Sequence, residues 1–433
     1  MPLRQRETQA QPSDSDGRRL RRYPSRVTPS TAESETVSRS RRVTIVSRIY
    51  RPEPAAAAFR LGAAVDALLG AGNEVDVLTV RAPRSLAKRA AADDAASGAR
   101  VHRWPVFRDA NEYVRGYLSY LSFDVPLVLR LAVTRRPGVF VVEPPPTTSA
   151  MVRLIAAMRR TPYVAYLPDL WADGTEATGA SRLVVRAVGI LERFGLRGAA
   201  AVIASTDRIA ARAAELHGID ATRVHVVRNG IDTSVFTKDG STAPEAPSGP
   251  YAIYAGTISE WQGAEILVEA WAAVIGRVPN ATLVFLGQGT GVESLERIAM
   301  RLPNGGASVR ILPLVPAEQA ATWQRGAAVA LCSMRPATGY DYFLPTKVFA
   351  AAACGTPVLY VGPGPAGELV KSEQLGLAVP FDVHEVGEAL VGMLEAPPVD
   401  AERSRLAAWA KANASIVNAG QGAAAIIKRA CRR

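Results

Sequence analysis

Cysteine and histidine are scarce in this chain. Three cysteines (Cys332, Cys354 and Cys431) and four histidines among 433 residues are too few and too scattered for a disulfide framework or a His/Cys zinc site. Long apolar runs are missing as well. The longest, from Phe123 to Val133, is interrupted by Asp124, Pro126 and Arg130 and falls well short of the ~20 residues that a membrane span needs. The first residues are basic but carry no apolar stretch of the secretory-signal kind. A cytoplasmic protein is therefore expected, at most peripheral on the inner face of a membrane. Acids are outnumbered: 51 Lys and Arg against 40 Asp and Glu leave a net charge of +11. That balance suits anionic partners such as nucleotides, phosphosugars, nucleic acid or an acidic membrane surface. Core-forming residues are abundant. A hydrophobic fraction of 48% with 21% charged residues excludes a wholly disordered chain. The length fits two domains of ~100–200 residues better than one.

Residues 1–40 stand apart. Eight Arg, five acids and many Ser, Thr, Pro and Gln cannot bury enough surface to offset the entropy of ordering, and a disordered basic tail is expected. From residue 41 a regular alternation begins. Residues 42–50 are a nearly continuous β-branched run, as in a strand buried on both faces. Residues 55–69 have helical spacing and 74–80 read as a second strand. This βαβ opening calls for a right-handed crossover and a parallel sheet. Strands at 139–142, 163–167, 200–204 and 224–227, separated by helices, continue the pattern to residue 236. Residues 237–250 have no period and are rich in Gly, Pro and Ser, the composition of a linker. A second series follows over 251–410, with strands at 251–255, 283–286, 309–312, 328–331, 357–361 and 377–379. The fold class is α/β: two Rossmann-like, doubly wound parallel-sheet domains. Ligands of such sheets bind outside the carboxyl ends of the strands. Two sheets facing each other would line one central cleft, with one substrate held by each half.

The loops after strands are where chemistry is sought. Gly256 and Gly263 bracket a loop that opens a helix. Glycine lets the backbone approach a ligand, and the N–H groups of a helix start attract phosphate; a plain turn would need the same glycines. Gly287-Gln-Gly-Thr-Gly291 also joins a strand to a helix, but Val292 stands where a dinucleotide fingerprint has its third glycine, so a structural turn is expected. Lys347 falls in the first turn of a helix opened by Leu344-Pro-Thr. There its charge opposes the helix dipole unless an anion binds. It is the leading phosphate contact, a solvated surface lysine being the alternative. In the first domain, Pro168-Asp-Leu-Trp-Ala-Asp173 ends a strand. Asp169 can accept hydrogen bonds from sugar hydroxyls or cap a turn; Trp171 can face a sugar ring or fill the core. Arg48, Glu53 and Arg60 surround the first strand-to-helix turn, placed to meet a phosphate or a second substrate, or to serve as surface charge.

Seven stretches, taken in order along the chain, stand out. They are Tyr50-Arg-Pro-Glu-Pro54 with Ala58-Phe-Arg-Leu61, Gly70-Ala-Gly-Asn-Glu-Val-Asp-Val-Leu-Thr79, and Asp169-Leu-Trp171. Val226-Val-Arg-Asn-Gly-Ile-Asp232, Tyr254-Ala-Gly-Thr-Ile258 with Gln262-Gly263, and Phe285-Leu-Gly-Gln-Gly289 follow. The last is Leu344-Pro-Thr-Lys-Val-Phe349, running on through Ala353-Cys-Gly-Thr-Pro-Val-Leu359. In this order the chain resembles the retaining glycosyltransferases of family 4, with the GT-B fold, over nearly its whole length from residue 41. The Asp-Leu-Trp and Gln-Gly variants look most like the branch that builds bacterial surface polysaccharides. The resemblance implies transfer of a sugar from a nucleotide-diphosphate sugar (UDP- or GDP-linked) to a glycan, lipid-linked or small-molecule acceptor. It implies no cofactor, no metal and no nucleic-acid partner. The donor would be held by Gly256, Thr257, Gln262, Gly263, Gly287, Arg335, Asp341, Thr346 and Lys347. The acceptor would be held by Arg48, Glu53, Arg60, Asp169 and Trp171. Asp169 and Lys347 would be the catalytic pair, and residues 411–433 would include a helix crossing back to the first domain. Lys347 and fixed N–H groups would stabilise the departing diphosphate, which itself takes the acceptor's proton.

Three positions depart from the family's pattern. Its two glutamates, eight residues apart across the Pro-Ser/Thr-Lys helix start, fall at Tyr342 and Ala350. The Arg and Lys of its diphosphate loop fall at Thr257 and Gln262. The histidine often found before the first-domain aspartate is Pro168. Alanine cannot accept a hydrogen bond from ribose. Ala350 therefore supports an alternative, a catalytically impaired GT-B-fold partner of another glycosyltransferase. Asp341, one place from the first glutamate position, is a candidate substitute.

Overall fold

The computed structural model describes residues 42–53, 55–109, 112, 114, 116–177, 179–336 and 342–432. The expected tail over 1–40, Pro54 and Asp341 lie outside the described residues. The first half runs β1 (Arg42–Val46), α1 (Ala56–Gly70), β2 (Glu74–Val80), α2 (Ala87–Ala96), β3 (Arg100–Trp104), α3 (Tyr117–Val133) and β4 (Val139–Val142). It continues α4 (Pro146–Met158), β5 (Tyr163–Leu167), α5 (Trp171–Ala177), α6 (Arg182–Arg197), β6 (Ala201–Ala204), α7 (Asp207–His217) and β7 (Val224–Val226). These seven strands form one sheet in the order β3-β2-β1-β4-β5-β6-β7. All pairs are parallel, with Ile45 opposite both Val77 and Val141. The order reverses between β1 and β4, the switch point where open parallel sheets leave a ligand crevice.

The second half repeats the plan: β8 (Tyr251–Ala255), α8 (Glu265–Arg277), β9 (Thr282–Leu286), α9 (Val292–Ala299), β10 (Val309–Leu312), α10 (Ala317–Gly326) and β11 (Val329–Ser333). Then come α11 (Thr346–Ala353), β12 (Val358–Val361), α12 (Pro365–Ser372), β13 (Gly376–Val379), α13 (Val383–Glu395), α14 (Asp400–Asn413) and α15 (Ile416–Arg432). The six strands lie in the order β10-β9-β8-β11-β12-β13, with the switch point between β8 and β11.

Strands such as Val139-Phe-Val-Val142 and Tyr251-Ala-Ile-Tyr254 are buried residue after residue, because helices cover both faces of each sheet. The structure departs from expectation in three places. β1 stops at Val46, since the Ser47 hydroxyl donates to the Ile49 carbonyl at 2.7 Å and accepts from the Ile49 N–H at 3.1 Å, turning the chain early. β3 and α3 fill the expected gap between residues 80 and 139. Residues 237–250 hold no helix or strand, yet Ala243 is buried and Arg325 donates to the carbonyls of Thr237 and Ser241 at 3.2 and 2.8 Å. This stretch is fastened to the second half.

α15 returns to the first half and packs on α1. Its Ala423, Ala424, Ile426, Ile427 and Ala430 complete the core that Leu61, Val65 and Leu68 of α1 form against β1, β2 and β4. A Cβ on Gly420 would stand 2.4 Å from the Ala63 carbonyl, so only glycine permits this close helix contact. Elsewhere the halves meet at the carboxyl ends of their strands. Arg208, in the first turn of α7 after β6, pairs with Glu368, in the first turn of α12 after β12. Tyr342 packs against the core beneath α3 and α4.

Candidate active site

In the second half the site is built on β8 and the start of α11. Pro345 is the N-cap of α11, which puts Lys347 in its first turn. The Lys347 side chain reaches under the β8–α8 loop. Its Nζ donates to the Tyr254 hydroxyl and, at 2.9 Å, to the Thr257 carbonyl. The same nitrogen lies 3.7 Å from the centroid of the Tyr254 ring, a cation–π contact. Lys347 is half-buried, and burial pushes its ammonium down to about 7. At neutral pH the amine is thus poised between charged and neutral, and an anion docking beside it would draw the proton back.

The glycines around it serve close approach. Gly256 has φ +122°, and a Cβ there would press on Lys347 Cε at 3.0 Å. A Cβ on Gly287 would lie 1.9 Å from the Gly256 carbonyl, so the loops after β8 and β9 touch backbone to backbone. Gly263, φ +63°, would drive a Cβ into the Phe381 ring at 2.7 Å. The Gln262 side chain is buried. Its Oε1 accepts from the Ser259 N–H at 3.0 Å and lies 2.9 Å from the Tyr254 hydroxyl, which ties the loop to the residue under Lys347. Arg335, after β11, is exposed; it donates its backbone N–H to the Trp261 carbonyl at 3.2 Å and its guanidinium to Glu265 at 3.3 Å. Thr346 opens α11 and is half-buried, and Ala350 is buried on the same helix. An open pocket of about 630 Å³ lies alongside, lined by Trp261, Glu265, Glu293, Arg297 and Arg335 among others; Lys347 is not part of its lining.

In the first half, Asp169 lies in the loop between β5 and α5. Its Oδ1 is buried with no hydrogen-bond partner. Burial pushes the carboxyl up to about 6; Arg60 opposes the rise, and Glu143 and Glu192 add to it. Arg60, from α1, pairs with the buried Glu143 at the end of β4 and reaches Asn229 at 3.4 Å. Burial works against the Arg60 charge, but Glu143 more than offsets it and Asp169 adds to the effect, so its guanidinium is held above the ordinary value. Arg48, after β1, is only 6% exposed and stacks 3.7 Å from the Tyr120 ring centroid. Its Nε and one terminal nitrogen have no partner. Burial lowers it to about 10, so it stays cationic at neutral pH. Tyr120 meets Trp171 edge-on at 6.4 Å. Buried Glu192 accepts the N–H groups of Trp171 and Ala172 at 2.8 and 3.3 Å, capping the start of α5 and fixing the Asp169 loop. His217 lies 3.1 Å from the same carboxylate.

Arg60 and Asp169 therefore come together, and Arg48 joins Trp171 through Tyr120. Glu53 does not join them; it pairs with Arg108 at 3.2 Å. Tyr254, Glu143, Tyr120, Asn229 and Glu192 join the site without any role the sequence assigns them. Tyr254 and Asn229 sit inside the motifs quoted above, whereas Glu192 carries only one signal, a carboxylate on the apolar side of an amphipathic helix. Among the described residues no three of His, Cys, Asp and Glu gather as a metal would need.

Comparison with known proteins agrees with this plan. The family described as glycosyl transferase 4-like domain matches residues 55–230, and the family described as glycosyl transferases group 1 matches residues 249–396. The D-inositol 3-phosphate glycosyltransferase of Jonesia denitrificans is 27% identical over 333 residues, 72% of this chain and 76% of that protein. The enzyme of the same name from Mycobacterium avium is 30% identical over 219 residues. There the chain spans about half of the relative's length, 49%. Among solved structures, Anabaena HepE in complex with UDP-glucose superposes with a TM-score of 0.64 at 16% identity, over 90% of this chain and 99% of that one. WaaG, a glycosyltransferase of lipopolysaccharide biosynthesis, gives 0.64 at 15% identity, over 89% and 99%. Both share the fold of two facing α/β halves. Matched along both of those halves, the chain belongs to the glycosyltransferases that join a 4-like domain to a group 1 domain.

Proposed function

We propose that the chain moves a sugar from a nucleoside-diphosphate sugar to a hydroxyl of an acceptor glycan, lipid-linked glycan or small polyol, with retention at the anomeric carbon. The observation that carries this reading is Lys347: a lysine in a helix's first turn, held by Tyr254 and the Thr257 carbonyl, whose ammonium burial pushes down to about 7. The diphosphate would lie against Lys347, the N–H groups at the α11 start and the glycine loop at Gly256. Thr257, Gly263, Gly287, Arg335 and Thr346 shape or flank that seat, and Gln262 braces it. As the bond from the anomeric carbon to the phosphate oxygen breaks, its electron pair stays with the diphosphate. Lys347 and the N–H groups gain most in that state, which is where stabilisation accelerates the reaction. The acceptor oxygen bonds to the anomeric carbon on the face the diphosphate leaves, and its proton passes to a phosphate oxygen. Asp169 accepts a sugar hydroxyl through the unpartnered Oδ1. Arg48 offers its two unpartnered nitrogens, and with Arg60 and Trp171 it orients the acceptor. The UDP-glucose held by HepE supports a uridine donor first, and the relatives' name supports a polyol hydroxyl as acceptor.

The counter-charge in this reading is protein-borne, so no metal is required. The test is release of nucleoside diphosphate from a panel of UDP- and GDP-sugars, with melting temperature followed in parallel. A ligand that binds only the folded chain raises that temperature by mass action. A donor that raises melting and is turned over, with both lost in Lys347→Met, supports the reading. Silence across the panel in both measurements overturns it.

A further inference from the structure

The outer surface of the α3–α4–α6 layer has a composition that sugar transfer does not explain. α3 buries Phe123, Leu127 and Leu131 against the first sheet, yet its opposite side is also apolar. Leu118, Leu121, Val125, Leu129 and Val133 are between 48% and 77% exposed. At ~100° per residue they share a single stripe about 120° wide, and at ~1.5 Å per residue it is ~22 Å long. Phe107, exposed and tied by its N–H to Ser122 at 3.1 Å, widens the stripe on one side. α4 packs beside α3 and adds exposed Leu154 and Met158. A run of exposed large hydrophobics on this scale marks an interaction surface rather than ordinary scatter.

Charge decides the partner. Arg182, Arg186, Arg193 and Arg197 are exposed along α6, which packs on α4, and Leu183 and Ile190 stand exposed among them. Arg135, Arg136 and Arg160 are exposed where α3 and α4 end, and Arg136 donates to the Arg160 carbonyl at 3.1 Å. The acids within α3, α4 and α6 are Asp124 and Glu192, and both are buried. The layer therefore presents apolar side chains and guanidinium groups with no opposing carboxylate of its own. A second copy docking here by a two-fold axis would bring rows of like charge together. No described helix is long and apolar enough to cross a membrane, but a helix lying in the plane of an interface needs only one apolar face with basic flanks.

We infer that the α3–α4–α6 face docks on an anionic lipid bilayer, with the α3 stripe entering the headgroup–acyl boundary and the arginines meeting lipid phosphates. The inference does not depend on sugar transfer. The test is co-sedimentation of the full chain with phosphatidylglycerol–phosphatidylcholine vesicles and with pure phosphatidylcholine vesicles. The wild-type chain should pellet with the anionic vesicles, and added salt should weaken the binding. V125E/L129E should lose ~10-fold or more of its binding, and R186E/R193E should lose the preference for anionic lipid. All four residues are exposed, and an unchanged melting temperature verifies the fold of each variant. Retained binding in V125E/L129E overturns the inference. So does a wild-type chain that ignores the vesicles, or one that dimerises without lipid and becomes monomeric in V125E/L129E.

Discussion

Replacing Lys347 with methionine should make the unliganded protein more stable while abolishing its response to donor. Methionine matches the length of the lysine stem and carries no charge. In the unfolded chain the lysine titrates near 10.5, and burial pushes it down to about 7 in the folded one. At ~1.4 kcal/mol per pH unit that gap costs ~5 kcal/mol. Partial solvent contact and the loss of two hydrogen bonds in the variant reduce the expected gain to ~2–3 kcal/mol. The variant leaves no orphan behind, because the Tyr254 hydroxyl still lies 3.0 Å from the Thr257 carbonyl. Unfolding entropy of ~2 cal/mol/K per residue over nearly 400 ordered residues converts the gain to ~3–4 °C. The pH dependence follows from the direction of the shift. Below about 7 both states hold the proton and the cost is fully present. Between about 7 and 10.5 the unfolded chain holds a proton that the folded chain has released, so wild-type stability rises with pH toward that of the variant. Donor binding has the opposite slope, since a diphosphate restores the charge and takes up a proton, so affinity should fall as pH rises above about 7. Scanning fluorimetry from pH ~6 to ~10, with and without nucleoside diphosphate, reads all of this. A variant that melts with the wild type at every pH, or that keeps the ligand-induced rise, would refute the reasoning.

Asp169→Asn tests the first half. Burial holds the wild-type carboxyl near 6, so its charge costs stability above that pH, and the cost disappears as pH falls toward 4. The variant should melt higher by the equivalent of ~1–3 kcal/mol at pH ~7 and level with the wild type by pH ~4, with turnover down ~10–100-fold from the weakened hydrogen bond to the sugar hydroxyl. Gly287→Ala would force a Cβ to 1.9 Å from the Gly256 carbonyl. Denaturant titration should show a loss of ~2–3 kcal/mol or more, accompanied by loss of donor binding. Chelation by EDTA should leave turnover unchanged; activity that EDTA abolishes and magnesium restores would mean that Lys347 is not the main counter-charge.

Legibility followed the physics of each segment. Strands buried on both faces announce themselves, and the glycine loops after β8 and β9 mark where each ends. β3 gave no such signal. Its Arg100-Val-His-Arg-Trp104 alternates exposed and half-buried positions at the sheet edge, a pattern too polar to stand out. α3 carries no helical signature, because Pro126 lies inside it and both its faces are apolar, so no helical period separates core from surface. At the site, Lys347 could be singled out by the dipole argument alone. Its partner Tyr254 stands 93 residues away, and only the folded sheet brings β8 under α11. The Arg60–Glu143 pair, 83 residues apart, was hidden for the same reason. Glu53 illustrates the converse, since nearness in sequence to Arg48 and Arg60 did not make it their neighbour.

The return of α15 sets an order on biosynthesis. Part of one face of the first sheet, beside α1, stays uncovered until Ala423, Ile426 and Ile427 arrive, and these residues leave the ribosome after every strand of the second half. The nascent first half therefore waits, with α1 unshielded, while its neighbour is translated. The core of the first half is thus the last to be completed, and the waiting interval is when a chaperone would have work to do.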